Sequence, residues 1–210
     1  MTTPEIAALV SVGWACLAIA MTIARAWRRG TSRVVATPAG SAWHGIAYAF
    51  GPGMSPTAKE SASDHLGIYA CGMLYHVGIG AGAATLVVTM AGIPVPWMLR
   101  HVGVVVLLLA AASGAVLLAR RVATPLLRLI SAPDDYASNL LVDAWLATAA
   151  MALLLPQAAS TLLFVTAALG IYAPFGKIRH CAFFFLARAQ FGARLGRRGV
   201  VRPRGREARA

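Results

Sequence analysis

Long apolar runs, separated by short polar or proline-containing stretches, set the pattern of this chain. Five of them, from Ile6 to Ala24, Ile68 to Met90, Val102 to Ala119, Leu140 to Pro156 and Leu162 to Leu186, come close to the ~20 residues a helix needs to cross a bilayer. The pattern predicts an all-α membrane protein with five transmembrane helices. The connections from Ala91 to His101 and from Gln157 to Thr161 leave no room for a soluble domain on their side. The first run is too long, and too poor in preceding basic residues, for a cleaved signal peptide. The predicted organisation is one transmembrane domain over residues 1–190, followed by a basic tail over residues 191–210.

Composition agrees: 59% of residues are hydrophobic, 12% are charged, and the mean hydropathy is +0.69. The formal net charge of +12 is distributed unevenly. Arg25, Arg28, Arg29 and Arg33 follow the first run, and Arg120, Arg121 and Arg128 follow the third. Arg188, Arg194, Arg197, Arg198, Arg202, Arg204, Arg206 and Arg209 lie near or beyond the end of the fifth. The opposite side has only Arg100. The positive-inside rule then places the N-terminus outside and the C-terminus in the cytoplasm. Topology and anionic lipid account for part of this charge, and docking of a cytoplasmic partner is the functional reading. Nucleic-acid binding is not indicated, because the basic residues alternate with membrane runs and no aromatic-rich binding module accompanies them.

Against this background His76 stands out. In Gly72-Met-Leu-Tyr-His76-Val-Gly-Ile-Gly80, glycines sit one helical turn to either side of an imidazole placed in an uncharged run. His180 has Gly176 four residues before it, in Pro174-Phe-Gly-Lys-Ile-Arg-His180. An imidazole in hydrocarbon is costly unless bonded. Each histidine could simply hydrogen-bond a neighbouring helix. The pair with its glycines points instead to a b-type haem, since a flat macrocycle lying on a helix needs the adjacent turns cleared of side chains. Depth is consistent with pairing: at 1.5 Å per residue His76 lies roughly 12 Å above Ile68, and His180 roughly 9 Å above Leu186 if one helix runs that far. If the fifth span stopped near Lys177, His180 would lie at the surface and face His65 better.

Cys16, Cys71 and Cys181 all fall in or beside membrane runs. No Cys-x-x-Cys-His motif is present for covalent haem, and no set of four cysteines for an iron–sulfur cluster. Phosphate-binding loops, dinucleotide fingerprints and nucleophilic triads are equally lacking in the sequence. Redox chemistry in this chain would therefore rest on non-covalent haem and a quinone, with substrate chemistry in another subunit.

The stretches Tyr75-His76-Val-Gly-Ile and Pro174-Phe-Gly-Lys-Ile-Arg-His180 resemble the second and fifth helices of the respiratory nitrate reductase gamma subunit family, which includes the membrane cytochromes of sulfite and heterodisulfide reductases. The resemblance covers the five-helix layout, with specific motifs only in those two stretches. It implies a membrane cytochrome b passing electrons between the quinone pool and a cytoplasmic iron–sulfur or molybdenum oxidoreductase, in a bacterial or archaeal cytoplasmic membrane. Two further histidines of the family fall here on Leu86 and Leu162, which cannot ligate iron. The resemblance thus implies one haem b, on the cytoplasmic half, with His76 and His180 as axial ligands and Gly72, Gly80 and Gly176 clearing its faces. The family oxidises quinol beside the outer haem, the one missing here.

Other residues are read more weakly. His65 lies close to three turns before His76, flanked by Ser61 and Tyr69, and His101 opens the third run beside Trp97 and Val105. Both are secondary candidates for cofactor contact. His44 sits in the aromatic stretch Ser41–Phe50, read as an interfacial segment or partner contact. Lys177 and Arg179 would pair with haem propionates or snorkel to the interface. Asp143, one turn into the fourth run, either complements a helix N-terminus or moves protons. Lys59, Glu60, Asp64, Asp134 and Asp135 read as solvated loop residues or contacts to a soluble subunit. A non-redox small transporter or assembly factor is the alternative, and the sequence has no internal repeat to favour a transporter.

Overall fold

The computed structural model describes residues 1–28, 37–56 and 63–201. Arg29, Arg33, Lys59, Glu60, Ser61 and the tail from Arg202 onward lie outside the described residues. The described residues contain no strand. Their helices are α1 (Thr3–Arg28), α2 (Ala42–Phe50), α3 (Leu66–Met90), α4 (Trp97–Ala123), α5 (Pro125–Ile130), α6 (Pro133–Leu154), α7 (Ala159–Tyr172) and α8 (His180–Arg197). Short 3₁₀ turns occur at Pro52–Met54, Pro156–Ala158 and Lys177–Arg179.

Helices α1, α3, α4 and α6 are each long and apolar enough to cross a membrane. A fifth span exists only if α7 and α8 are counted together across the break between them. The expected continuous helix from Leu162 to Leu186 is therefore corrected. Helix α7 stops at Tyr172 because Pro174 lacks a backbone N–H and its ring opposes the carbonyl one turn back. The chain then turns, with the Phe175 and Gly176 amides both donating to the Tyr172 carbonyl at 3.0 and 3.1 Å, and restarts as a helix at His180. The depth of His180, reckoned along one unbroken helix, loses its basis.

The chain divides into two compact units, residues 1–20 with 67–179, and residues 21–66 with 180–210. In the first, a core of Tyr75, Leu107, Ala110, Val142, Trp145, Leu146, Ala149, Ala150 and Leu162 joins α3, α4, α6 and α7. Helix α4 shows how these helices suit a membrane. Its inner face is Val104, Leu107, Ala110, Ser113 and Gly114, whereas Val105, Leu108, Leu109 and Val116 are half exposed on the outside. Leucine and valine on the outer surface of a helix suit lipid, and small residues inside allow close helix approach. A Cβ on Gly170 of α7 would come within 2.8 Å of the Ser11 backbone, so that glycine sets the spacing to α1. The Trp145 indole N–H donates to Thr166 Oγ1 at 2.9 Å, and the Thr166 hydroxyl in turn donates to the Leu162 carbonyl at 2.8 Å. Every polar atom in that relay is satisfied.

In the second unit α2 lies against α8 through glycine on both sides. A Cβ on Gly45 would collide with the Gly192 carbonyl and with Gly196, and one on Gly192 with Ala49 and Ile46. Gly192-Ala-Arg-Leu-Gly196 is a small-xxx-small surface that brings two backbones together. Arg188 adds polar closure: its guanidinium donates to the Ala49 and Gly53 carbonyls, at 2.5 and 2.7 Å, and lies over the Phe184 ring. The Ala49 carbonyl belongs to the last turn of α2, where a cation is favoured, and the Gly53 carbonyl to the 3₁₀ turn that follows. Helix α8 ends in a Schellman turn. Gly199 has a φ of +69°, and the Val200 amide reaches back to the Leu195 carbonyl at 3.2 Å. The predicted boundary at 190/191 falls inside α8, which is continuous to Arg197.

Candidate functional site

Helix α3 carries two sets of glycines with opposite duties. Gly78 and Gly82 are buried: a Cβ on the first would run into Ala110, and on the second into the Trp145 ring at 2.6 Å. They form the packing face, with Tyr75 and Thr85. Gly72 and Gly80 meet nothing within 4 Å of a built Cβ. Positions 78 and 80 are about 200° apart around a helix, so the second pair belongs to another face. His76 sits on it, exposed, midway between the two open glycines.

The ring of His76 is oriented by its own helix. Nδ1 lies 2.7 Å from the Gly72 carbonyl oxygen. A carbonyl only accepts, so Nδ1 carries the proton and Nε2 carries the lone pair. Metal-bound imidazoles use the same device, in which a hydrogen bond at one nitrogen fixes the tautomer presented by the other. Tyr75 stands edge-on to the ring, with centroids 6.3 Å apart. His101 is held in the same way by the Trp97 carbonyl at 2.7 Å. Its flanking residues are Trp97 and Val105, both exposed, so the surface beside it is bulky rather than cleared. His65 is in an exposed turn just before α3, not on the helical face of His76. His44 is exposed on α2 of the second unit, in the helix capped by Ser41.

His180 is the first residue of α8 and belongs to the second unit, whereas His76 belongs to the first. Gly176 is not one turn before it on a common helix. The space over Gly176 is taken by Tyr172 and the Asp134 carboxylate, each of which a Cβ would strike, so that glycine serves the turn. Lys177 has a second role as well. Its backbone N–H donates to Asp134 at 2.8 Å, and its ammonium pairs with Asp135 at 2.5 Å. Arg121 approaches the same Asp135 oxygen at 3.4 Å, and the Tyr172 hydroxyl donates to Asp134. Asp134 and Asp135 are thus not solvated loop residues. They lie in the first turn of α6, Asp135 also accepting from the Ala132 amide at 2.9 Å, and fasten the α7–α8 turn to that helix. Arg179 is exposed, as is Asp64 in the turn before α3.

Two features escaped the sequence reading. One is the Gly78-x-x-x-Gly82 packing face, whose spacing is visible in the sequence but was overshadowed by the glycines around His76. The other is a half-buried polar cluster in the first unit. Asn139 Nδ2 lies 3.4 Å from the Tyr75 hydroxyl, and Asp143 is set against Gly114. The sequence reading named Asp143 alone, as a helix-terminus or proton-transfer residue; its i, i+4 spacing from Asn139 was the further signal.

Among the described residues no group of three or more His, Cys, Asp or Glu side chains converges as a cage for a bare metal ion. A haem iron draws only two axial ligands from protein, and the fixed tautomer and open face of His76 fit that task. Comparisons with family models, with curated proteins and with solved structures give no match to this chain.

Proposed function

We propose that this chain is a membrane cytochrome b subunit. It passes electrons between the quinone pool and a cytoplasmic iron–sulfur or molybdenum oxidoreductase, in a bacterial or archaeal cytoplasmic membrane. The observation that carries the reading is the face of α3 on which His76, its tautomer fixed by Gly72, sits between two glycines whose surroundings are open. Bound haem would supply one-electron chemistry. His76 would ligate the iron through Nε2, Gly72 and Gly80 would admit the ring, and His180 is the second ligand expected from sequence. Arg179 serves as a propionate partner, while Lys177 is engaged by Asp135. The basic residues following the first, third and fifth runs face the cytoplasm in this reading. There they receive the partner subunit by a salt-sensitive attraction and hold anionic lipid.

The test is a pyridine haemochrome assay with a reduced-minus-oxidised spectrum of the purified protein. One haem b per chain is expected. His76→Ala and His180→Ala should each abolish the low-spin signal, and His44→Ala should leave it unchanged. Two haems would overturn the single-haem count and bring His101 or His65 into ligation. No haem, in cells supplied with haem precursor, would overturn the reading.

One observation favours a second reading, a small transporter. The α7–α8 segment is broken at Pro174, with the turn at Lys177 pinned to α6, and interrupted helices of that kind line substrate sites in transporters. A haem-free protein would point there.

A further inference from the structure

Among the described residues, two buried side-chain atoms lack a hydrogen-bond partner: Asn139 Oδ1 and Asp143 Oδ1. Both are on α6, one turn apart and so on the same face. From α3, Tyr75 closes over them; its hydroxyl lies 3.4 Å from Asn139 Nδ2 and reaches the Asp143 carboxyl. From α4, Gly114 makes the room. A Cβ there would collide with Asp143 Oδ1 and approach the Tyr75 ring to 2.5 Å, so no larger residue leaves space for the carboxyl. This is a built polar chamber walled by three helices.

The charges around it decide its chemistry. Helix α3 contributes no charged residue, and its histidine, His76, is on the open face. Helix α4 has none between His101 and Arg120, and α7 has none at all. On α6 itself the other ionisable groups are Asp134, Asp135 and Tyr136, about two turns from Asp143. The cations Arg121 and Lys177 are engaged by Asp135. A carboxylate with a buried, unpartnered oxygen and no balancing cation is costly. Two orphan acceptors one turn apart on the same helix face also each lack a donor. A proton on Asp143 supplies it and removes the charge in the same step.

We infer that Asp143, Asn139 and Tyr75 form a proton-binding site inside the helix bundle. The proton is carried by the Asp143 carboxyl and donated to Asn139 Oδ1. Uptake converts carboxylate and proton to the neutral acid, and release reverses it, with no other bond made or broken. The Tyr75 hydroxyl is the adjoining donor and acceptor, one residue from His76 in the chain. The site does not depend on haem, and its test is separate from that of the proposed function.

The neutral acid is the form that a hydrophobic carbodiimide attacks, so the purified protein in detergent is treated with dicyclohexylcarbodiimide and the adduct located by peptide mass spectrometry. Labelling of Asp143 is expected in acid. Above the titration point it should fall roughly tenfold per pH unit, following the neutral fraction. Asp143→Asn, whose amide can still donate to Asn139, should fold as the parent does by tryptophan fluorescence and lose both the adduct and an exchangeable carboxyl band in the infrared. Labelling confined to other carboxyls, such as Glu5 and Asp64, would overturn the inference, because Asp143 would then not carry the proton. Suppression of the Asp143 adduct by sodium at constant pH would also overturn it, in favour of a metal-cation site.

Discussion

Replacing Gly82 by alanine and, separately, Gly80 by alanine tests the two faces of α3 with the same added methyl group. At Gly82 the new Cβ would lie 2.6 and 2.9 Å from two atoms of the Trp145 ring. That ring cannot yield as the tip of a flexible side chain would. It is almost fully buried, and its indole nitrogen is held by Thr166 at 2.9 Å. Overpacking of a filled core costs ~1–3 kcal/mol. For a chain of this size that corresponds to a fall of roughly 2–12 °C in midpoint temperature. At Gly80 the methyl group meets nothing, and a helix interior gains about 0.5–1 kcal/mol on exchanging glycine for alanine. Unfolding is followed by tryptophan fluorescence in detergent on haem-depleted protein, so that ligand binding does not mask the fold term. The haem content of each variant is then measured separately. Gly82→Ala should lose stability, whereas Gly80→Ala should keep it and yet bind less haem, because its methyl group occupies the cleared face. Equal stability of the two variants would refute the assignment of the packing face. Undiminished haem binding by Gly80→Ala would refute the role given to that glycine.

Thr166→Val leaves the Trp145 N–H buried without an acceptor and should cost ~1–3 kcal/mol in chemical unfolding; the double variant with Trp145→Phe should cost less than the sum of the two singles, and strict additivity would argue against the bond. Gly192→Leu drives a side chain into Ala49 and the Gly45 carbonyl, so trypsin should cut at Arg194 and Arg197 faster than in the parent. Ala193→Leu, with the same side chain one position along, should leave the digestion rate unchanged.

The helical, membrane-type architecture was legible because it depends on long apolar runs, and these dominate whatever the tertiary context. Helices α1, α3, α4 and α6 lie where four of the runs predict them, with ends extended by polar or charged residues such as Asp134 and Arg120. The fifth run misled because hydropathy does not register backbone hydrogen bonding. Cys181–Ala187 is apolar, yet Pro174 had already ended the helix, and Asp134 and Asp135 hold the turn that follows. Those aspartates were read as solvated for a related reason: Lys177 and Tyr172 are 38 to 43 residues away and Arg121 lies in another helix, too far along the chain for any local pattern to show.

At the candidate site, the same residue type carries different meanings that only packing separates. Gly72, Gly78, Gly80 and Gly82 share one uncharged helix. Two of them meet Ala110 and Trp145, and two face open space. Gly176 looked like a counterpart of Gly72 from its spacing to His180, and it proves to be filled by Tyr172 and Asp134. A glycine one turn from a histidine is therefore informative only if its missing side chain leaves a void that no neighbour occupies. Gly72 and Gly80 satisfy that condition on the two sides of His76, and the Nδ1–Gly72 bond fixes the tautomer of the imidazole between them. His101 has the bond without the void, which makes it the natural comparison. If His101→Ala removed haem and His76→Ala did not, the tautomer would be the operative feature and the glycines incidental.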